Sequence, residues 1–302
     1  DLGDTASFLA FIGAIFLMFT AGLDVTISSL RRIGKKTITI ALFNGIIPFA
    51  TGYYIGTLFN SSFTTSIILG AIFLSSSVAI IIPTLKELKL AETDLGKIII
   101  SSTVFEDVLS LLILAFMLKS AASNGIPNGL FVPILVASLL LLFFLLPKLQ
   151  KMFISKQKET QKEDIFEGEL RFIVSVLIVT ALLFELLGIH AIIAGFFVGL
   201  FLSDAIKHRL VFEKIYTLSY GFFIPIFFLV IGMKTDITQF MSAEAYTLAG
   251  VIIGALMLSK FISGFIGSRL AGHSHHESLI VGAATMPQLS TTLVVALLAF
   301  ES

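Results

Sequence analysis

Ten long apolar runs constrain the fold of this chain more than any other feature. Because about twenty consecutive apolar residues cross the hydrocarbon layer of a membrane as one helix, each run is a candidate span. Backbone groups in lipid must hydrogen-bond one another, which favours helices for runs of this length. The sequence therefore predicts an all-α polytopic membrane protein in a lipid bilayer, with one transmembrane domain over residues 1–302. The runs are residues 6–27, 36–58, 64–88, 95–118, 128–150, 170–187, 190–204, 217–233, 245–269 and 276–299.

Composition excludes several classes of function. Charged residues make up 13% of the chain, about half the share of a soluble domain. The formal net charge is zero, so no electrostatic attraction to nucleic acid is expected. The chain has no cysteine, glycine-rich nucleotide loop or hydrolase triad, so we predict no cofactor and no enzymatic activity. An intramembrane aspartyl protease is disfavoured because adjacent residues such as Glu106 and Asp107 diverge by about 100° on a helix.

The distribution of basic residues predicts the orientation in the membrane. All but three of the 20 Lys and Arg residues lie in alternate loops or at their edges; the exceptions are Lys119, Lys234 and Lys260. Cytoplasmic loops carry such an excess of positive charge. The pattern predicts a multi-pass protein of the cell membrane, with residues 1 and 302 outside and the polar linker 151–169 cytoplasmic. The amphipathic stretch 205–216 is predicted to lie along the membrane surface.

Three ionisable residues lie in the middle of apolar runs. Glu106 and Asp107 are at the centre of the fourth run, and Lys260 is near the centre of the ninth. Such residues are rare in membranes, cost about 3 kcal/mol each, and mark functional sites. A buried pair that only joins two helices is the alternative, but it leaves the second carboxylate unexplained. Two carboxylates and one ammonium have a net negative charge, which a cation or a proton could balance. Competition of this kind is what an exchanger requires.

Two apolar runs are interrupted at matching depths. The third run contains Ser75-Ser76-Ser77, and the tenth contains Pro287 followed by a polar patch. The two runs enter from opposite sides, as expected for an inverted repeat. Transporter sites are often built where helices unwind at corresponding positions of two halves. Ordinary packing of small residues between helices is the alternative.

The same interruptions supply candidate ligands for a small cation. Serine hydroxyls and backbone carbonyls that a broken helix releases are suitable oxygen ligands. We predict that Ser76 and Ser77 bind the cation together with Asp107 and Glu106. Thr103 lies one turn before Asp107 and is a further candidate, although its hydroxyl could instead bond the preceding turn.

Six segments, taken in order, resemble the Kef-type, or second, branch of the cation:proton antiporter superfamily. They cover essentially the whole chain. The segments are FLMFTAGLDVTISSLRRIGKK, LSSSVAIIIPTLKELKL, VFEDVLSL, LLFELLGIHAIIAGFFVGLFLSD, IPIFFLVIGMKTDI and LSKFISGFIGSRLAG.

This resemblance implies an architecture and an activity. The family has thirteen helices, of which about ten are present here, in an inverted-repeat fold with two discontinuous crossing helices. Residues 36–118 and 245–302 would form the ion-binding core, and residues 1–35 and 128–240 the dimerisation panel of a homodimer. The implied activity is exchange of Na⁺ or K⁺ for H⁺ by an elevator-like movement. The alternative is a Kef-type ligand-gated potassium efflux system, which requires a cytosolic regulatory domain after residue 302.

The resemblance also assigns roles to residues. Asp107 matches the essential aspartate that binds the ion and the proton. Glu106 stands where electrogenic sodium exchangers have Asp and electroneutral members have Gln or Asn, so a glutamate favours the electrogenic type. Lys260 matches the lysine that pairs with this first carboxylate. The family's Pro-Arg-Gly-Glu segment is replaced here by Pro-Gln-Leu-Ser at 287–290.

Other polar residues are given structural interpretations. Glu185, near the outer end of its run, is predicted to be solvated or to pack between helices. His273, His275 and His276 lie close together in a predicted cytoplasmic turn. We expect solvated imidazoles there rather than a metal site, which needs at least three convergent ligands.

Overall fold

The computed structural model describes residues 2–25, 34–121, 128–159, 165–206, 208–236, 238, 242–289 and 292–294. Every regular element in this part of the chain is helical, so the predicted all-α class is confirmed. Six spans in the described ranges are long and apolar enough to cross a membrane, and one of them consists of two joined helices, as described below. The helices are α1 (Leu2–Leu23), α2 (Lys35–Leu58), α3 (Phe63–Leu74), α4 (Val78–Glu87), α5 (Asp94–Ala121), α6 (Asn128–Glu159), α7 (Ile165–Leu186), α8 (Ala191–Leu202), α9 (Arg209–Leu218), α10 (Ile224–Lys234), α11 (Ala243–Leu270) and α12 (His275–Ala284).

The chain divides into two compact units. The first unit joins residues Asp1–Ser28 to Lys119–Thr235, and the second joins Ser29–Leu118 to Asp236–Ser302. The first unit contains α1 and α6–α10, and the second contains α2–α5, α11 and α12. The roles predicted for these two parts of the chain, dimerisation and ion binding, stay predictions.

A short, wholly buried helix lies inside the first unit. All twelve residues of α8 are buried, and the helix packs against α1, α6 and α7. Its length falls short of a membrane crossing, which agrees with the short seventh run in the sequence. Its N-terminus is capped from α7, because the Glu185 carboxylate accepts a hydrogen bond from the Ala191 amide at 3.0 Å. Glu185 is therefore a capping residue.

The predicted surface helix at 205–216 is wrong. Helix α9 continues through a π-helical turn at Ser219–Phe223 into α10, and the whole stretch Arg209–Lys234 is one candidate span. The residues at both junctions keep right-handed helical backbone angles. Val211 and Ile215 are buried, so the apolar side of this amphipathic segment packs against protein.

The predicted linker 151–169 is mostly helical. Helix α6 extends to Glu159 and α7 begins at Ile165, while residues 160–164 lie outside the described part of the chain. The lysine-rich composition suggested a loop, but Lys is also a good helix former. The cytoplasmic side of this hairpin stays a prediction.

The second unit contains the interrupted helices. The Ser62 hydroxyl accepts a hydrogen bond from the Thr65 amide and starts α3, which ends at Leu74. Ser75 and Ser77 have extended backbone angles, and α4 begins again at Val78. Helix α12 ends at Ala284, and residues 286–289 are not helical. Residues 290, 291 and 295–299 of the predicted tenth run, and residues 300–302 after it, lie outside the described part.

Close packing of α12 against α11 positions the second interruption. A Cβ atom on Gly282 would lie 2.7 Å from the Phe261 carbonyl oxygen, and one on Gly264 would lie 2.7 Å from the Thr285 hydroxyl. Only glycine fits at such a close approach of two backbones. These glycines bring the end of α12 next to the part of α11 that contains Lys260.

Candidate functional site

The two interruptions are hydrogen-bonded to each other. The Ser77 amide donates to the Pro287 carbonyl at 2.8 Å, and the Ser76 hydroxyl lies 2.9 Å from the Thr285 carbonyl. The Gln288 side-chain amide donates to the Ser75 carbonyl at 2.9 Å. Backbone groups freed by a broken helix need such partners when they are buried. The two breaks therefore form one polar centre in the second unit.

Lys260 and Glu106 form an ion pair at this centre. Lys260 Nζ lies 2.9 Å from Glu106 Oε2, and both side chains are 0% exposed. The ammonium also donates to the Ser76 hydroxyl at 2.8 Å and to the Leu74 carbonyl at 2.5 Å. Leu74 is the last residue of α3, where the helix dipole places negative potential. Three acceptors match the three N–H bonds of the lysine ammonium.

Asn44 holds the other oxygen of Glu106. Its side-chain nitrogen donates to Glu106 Oε1 at 2.7 Å, and its side-chain oxygen accepts from the Ser263 hydroxyl at 2.7 Å. The hydroxyl of Ser263 thus orients the amide so that its N–H faces the carboxylate. Both oxygens of Glu106 therefore have protein donors: Asn44 donates to Oε1, and Lys260 donates to Oε2. The Ser76 hydroxyl also lies 2.9 Å from Oε2.

Asp107 lies next to this pair and has a separate partner. The Ser75 hydroxyl donates to Asp107 Oδ1 at 2.9 Å, and Asp107 is 2% exposed. One helical turn further along α5, the Ser110 hydroxyl donates to the Ala71 carbonyl and fastens α5 to α3. With Glu106, Asp107 and Lys260 all ionised, the centre carries a net charge of −1.

The remaining predicted ligands differ in their bonding. Thr103 is buried, and its hydroxyl donates to the Ile99 carbonyl of its own helix at 3.0 Å, which is the alternative recognised from the sequence. The Ser77 hydroxyl is buried and has no hydrogen-bond partner in the described part of the chain. Buried polar groups are normally paired, so Ser77 offers an oxygen at the break. The role of both residues in binding a cation stays a prediction.

Sequence reasoning missed Asn44 and Ser263, and it recognised Ser75 and Gln288 only as parts of the two polar interruptions. Asn44 carried a usable signal, because an amide in the middle of an apolar run is expensive unless it is paired. The other three are small or polar residues of kinds common in membrane helices. Their contacts depend on how the interrupted helices meet, which no local pattern encodes.

The three histidines differ in exposure: His275 and His276 are exposed, as predicted, whereas the prediction of a solvated imidazole is wrong for His273, which is buried. No group of three or more His, Cys, Asp or Glu residues in the described ranges could hold a metal ion. His275 lies edge-on to Phe265, with ring centroids 5.4 Å apart. His273 is 8% exposed, with Nδ1 3.8 Å from Glu277 Oε2.

Comparisons with known proteins agree with this architecture. Residues 2–302 match the family described as sodium/hydrogen exchanger, transmembrane. The chain is 33% identical over 300 residues to probable Na(+)/H(+) antiporter 3 of Methanocaldococcus jannaschii, covering 98% of this chain and 76% of that protein. It is 30% identical to a Na(+)/H(+) antiporter of Enterococcus hirae, covering 94% and 74%.

A solved structure supports the fold. The sodium proton antiporter MjNhaP1 from Methanocaldococcus jannaschii, determined at pH 8, superposes with a TM-score of 0.68 at 18% sequence identity. The match covers 98% of this chain and 74% of that chain. Together, the match over almost the whole chain and the 33% identical relative establish that this protein belongs to the sodium/hydrogen exchanger family of cation:proton antiporters.

Proposed function

We propose that this protein exchanges a monovalent cation, with Na⁺ favoured, for H⁺ across a membrane. The observation that supports this most strongly is the buried Glu106–Lys260 pair beside Asp107, where two interrupted helices meet. The names of the two relatives described above support Na⁺ as the cation. No feature of the described residues favours the Kef-type efflux alternative.

Competition for the carboxylates provides the coupling. A cation that binds Asp107 and Glu106 must displace donors that now hold Glu106 Oε1 and Oε2. The released hydroxyl of Ser76, the unpartnered hydroxyl of Ser77 and the backbone carbonyls at the helix breaks are oxygen ligands suited to a small hard cation. A proton on Asp107 would remove the charge that attracts the cation, so proton and cation bind in alternation.

Lys260 can contribute the second proton. In the closed arrangement its ammonium is stabilised by Glu106 in a fully buried position. When a cation draws Glu106 away, an ammonium without a carboxylate partner in a low-dielectric site is costly. Release of its proton removes this cost. Loss of one proton each from Asp107 and Lys260 for one bound cation would make the exchange electrogenic.

The second unit, which contains the whole site, is the natural mobile element of an elevator-like cycle. Assignment of the first unit to a homodimer interface, location in the cell membrane, and cytoplasmic placement of the loop between α6 and α7 belong to the same proposal. The orientation rests on the distribution of Lys and Arg.

Replacement of Asp107 tests the function directly. In proteoliposomes, Asp107→Asn is expected to abolish cation-dependent proton release with Na⁺, Li⁺ and K⁺, because the amide can neither carry the proton nor balance the cation. A pH-sensitive dye inside the vesicles measures release. Glu87→Gln, which alters an exposed carboxylate at the end of α4 in the same unit, is the matched control and should exchange normally. Substantial exchange by Asp107→Asn would remove this residue from the mechanism.

A further inference from the structure

Another buried carboxylate, apart from Glu106 and Asp107, lies in the first unit, between α6 and α7. Glu169 and Gln150 are both 0% exposed, and Gln150 Nε2 donates to Glu169 Oε1 at 2.9 Å. The two remaining oxygens, Gln150 Oε1 and Glu169 Oε2, are buried and have no hydrogen-bond partner in the described part of the chain. Two orphaned acceptors side by side are unusual, since buried polar groups are normally paired.

The surroundings of this pair are apolar. Leu146 lies one turn before Gln150 and is 3% exposed, and Ile173 lies one turn after Glu169 and is 0% exposed. Phe153 stacks on Phe172 with ring centroids 4.7 Å apart, and these residues follow Gln150 and Glu169 by three positions each. An ionised carboxylate without a cationic partner is strongly disfavoured in such a place.

Glu169 forms no ion pair with any Lys or Arg residue whose side chain the structure describes. Arg171 instead pairs with Glu167 at 3.2 Å on the exposed side of α7. Arg209 of α9 likewise pairs with Glu213 at 2.8 Å. Among the other titratable groups on this part of the chain whose side chains are described, His208 and Tyr216 are partly shielded from solvent. Those that are exposed are Lys148, Lys151, Asp204 and Lys214.

We infer that Gln150 and Glu169 form a proton-binding site. One proton on Glu169 turns Oε2 into a donor, and its natural acceptor is the orphaned Gln150 Oε1. The carboxylic acid and the primary amide then form a ring closed by two hydrogen bonds. Gln150 Nε2–H donates to Glu169 Oε1, and Glu169 Oε2–H donates to Gln150 Oε1. A single proton thus satisfies both orphaned atoms and removes the buried charge.

A bound cation accounts for the same atoms less well. Small hard cations take six or more oxygen ligands, whereas this site offers two. The proton site is independent of the ion-exchange centre, because all its residues belong to the first unit.

Infrared spectroscopy of the full chain in liposomes tests the protonation state. The wild-type protein near neutral pH should show the carbonyl band of a protonated carboxyl group, and this band should disappear from Glu169→Gln. The control is Glu167→Gln, which alters an exposed carboxylate two residues away and should keep the band. An unchanged spectrum in Glu169→Gln would mean that Glu169 is ionised and would overturn the inference.

Thermal unfolding at neutral pH gives a second, independent readout. Glu169→Gln imitates the neutral acid, because its side-chain N–H can donate to Gln150 Oε1, and should melt like the wild type. Glu169→Ala should melt lower, because it leaves Gln150 unpaired. Equal destabilisation by Gln and Ala, or a Na⁺-dependent rise in melting temperature that Glu169→Gln abolishes, would contradict the proton site.

Discussion

Asn44 decides how tightly Glu106 is held in the closed pair. Its amide is fixed by Ser263 on one side and donates to Glu106 Oε1 on the other. A hydrogen bond to a charged group contributes about 1.5–3 kcal/mol. If Glu106 leaves Asn44 when it binds a cation, this energy opposes cation binding. Asn44 is then a positioning residue that sets cation affinity without touching the ion.

Asn44→Leu should therefore lower the apparent KM for Na⁺. The leucine is close in volume and cannot donate, so the closed pair loses one contact and competes less well with the cation. Loss of about 1.4 kcal/mol corresponds to about a tenfold lower KM. The Na⁺ dependence of proton release in proteoliposomes measures KM and the maximal rate separately.

Two further variants make the Asn44 result specific. Ser263→Ala removes the group that orients the amide and should shift KM in the same direction by less. Thr51→Val removes a hydroxyl of α2 that bonds only its own helix, at Ile47, and should leave KM unchanged. An unaltered KM in Asn44→Leu would show that Glu106 keeps this contact throughout the cycle.

Residue-level prediction reached the charges of the polar centre because the physics there is local, while their roles in ion binding stay predictions. A charge in an apolar run is costly wherever its partner lies, so Glu106, Asp107 and Lys260 could be singled out from composition and position alone. Their hydrogen-bond partners could not. Ser75, rather than Ser76 or Ser77, donates to Asp107, and only the backbone path through the break determines which serine faces which carboxylate.

At the scale of elements, the turn between α11 and α12 joins Lys260's helix to the second break. Gly272 has a φ of 85°, a left-handed conformation that favours glycine, and the Arg269 side chain donates to the His273 carbonyl at 2.7 Å. Ser274 and Glu277 form a capping box that starts α12. His273 Nε2 is buried without a hydrogen-bond partner among the described residues.

This turn should be sensitive to acid. Burial and the nearby Lys36 ammonium lower the pKa of His273 below its usual value. An unfolded histidine becomes protonated near pH 6.5, while the folded imidazole stays neutral to lower pH. The contribution of His273 to stability is therefore complete above about pH 6.5. It is lost as pH falls from this value to the lower pKa of the folded state. Melting temperatures across this range should fall in the wild type and fall less in His273→Gln.

A neighbouring histidine provides the control for this effect. His276 is exposed, so His276→Gln should keep the wild-type pH dependence. If the melting temperatures of the wild type and of His273→Gln fall equally as pH falls, groups other than His273 cause the effect.

Element boundaries were predicted less well than element type. The helical nature of each run followed from its length in an apolar medium. The segment at 205–216 was misassigned because an amphipathic pattern arises equally on a membrane surface and against a protein neighbour. The buried Val211 and Ile215 show that protein covers the apolar side here. Similarly, helix propensity extended α6 across lysine-rich sequence to Glu159.

At the scale of the whole molecule, stoichiometry follows from the charge of the loaded site. With Asp107 protonated and the Glu106–Lys260 pair closed, the site is neutral. With one cation bound, both carboxylates ionised and Lys260 neutral, it carries −1. If Lys260 keeps its proton, the cation-loaded site is neutral too. The cycle in which Lys260 loses its proton moves one net charge, and a membrane potential of about 100 mV contributes about 2.3 kcal/mol to it. The cycle in which Lys260 keeps its proton is insensitive to voltage.

Charge movement on a solid-supported membrane distinguishes these cycles. We expect a Na⁺ concentration jump to produce a transient current in the wild type, because two protons exchange for one Na⁺. Glu106→Gln should keep exchange but lose the current, since Lys260 then has no carboxylate partner whose departure triggers proton release. A dye measurement on the same vesicles must confirm that exchange persists. The extra methylene of Glu106, relative to an aspartate, could instead let it stay on Lys260 while a cation occupies Asp107. In that case the wild type would exchange Na⁺ without current, and Lys260 would be a permanent structural charge rather than a proton carrier.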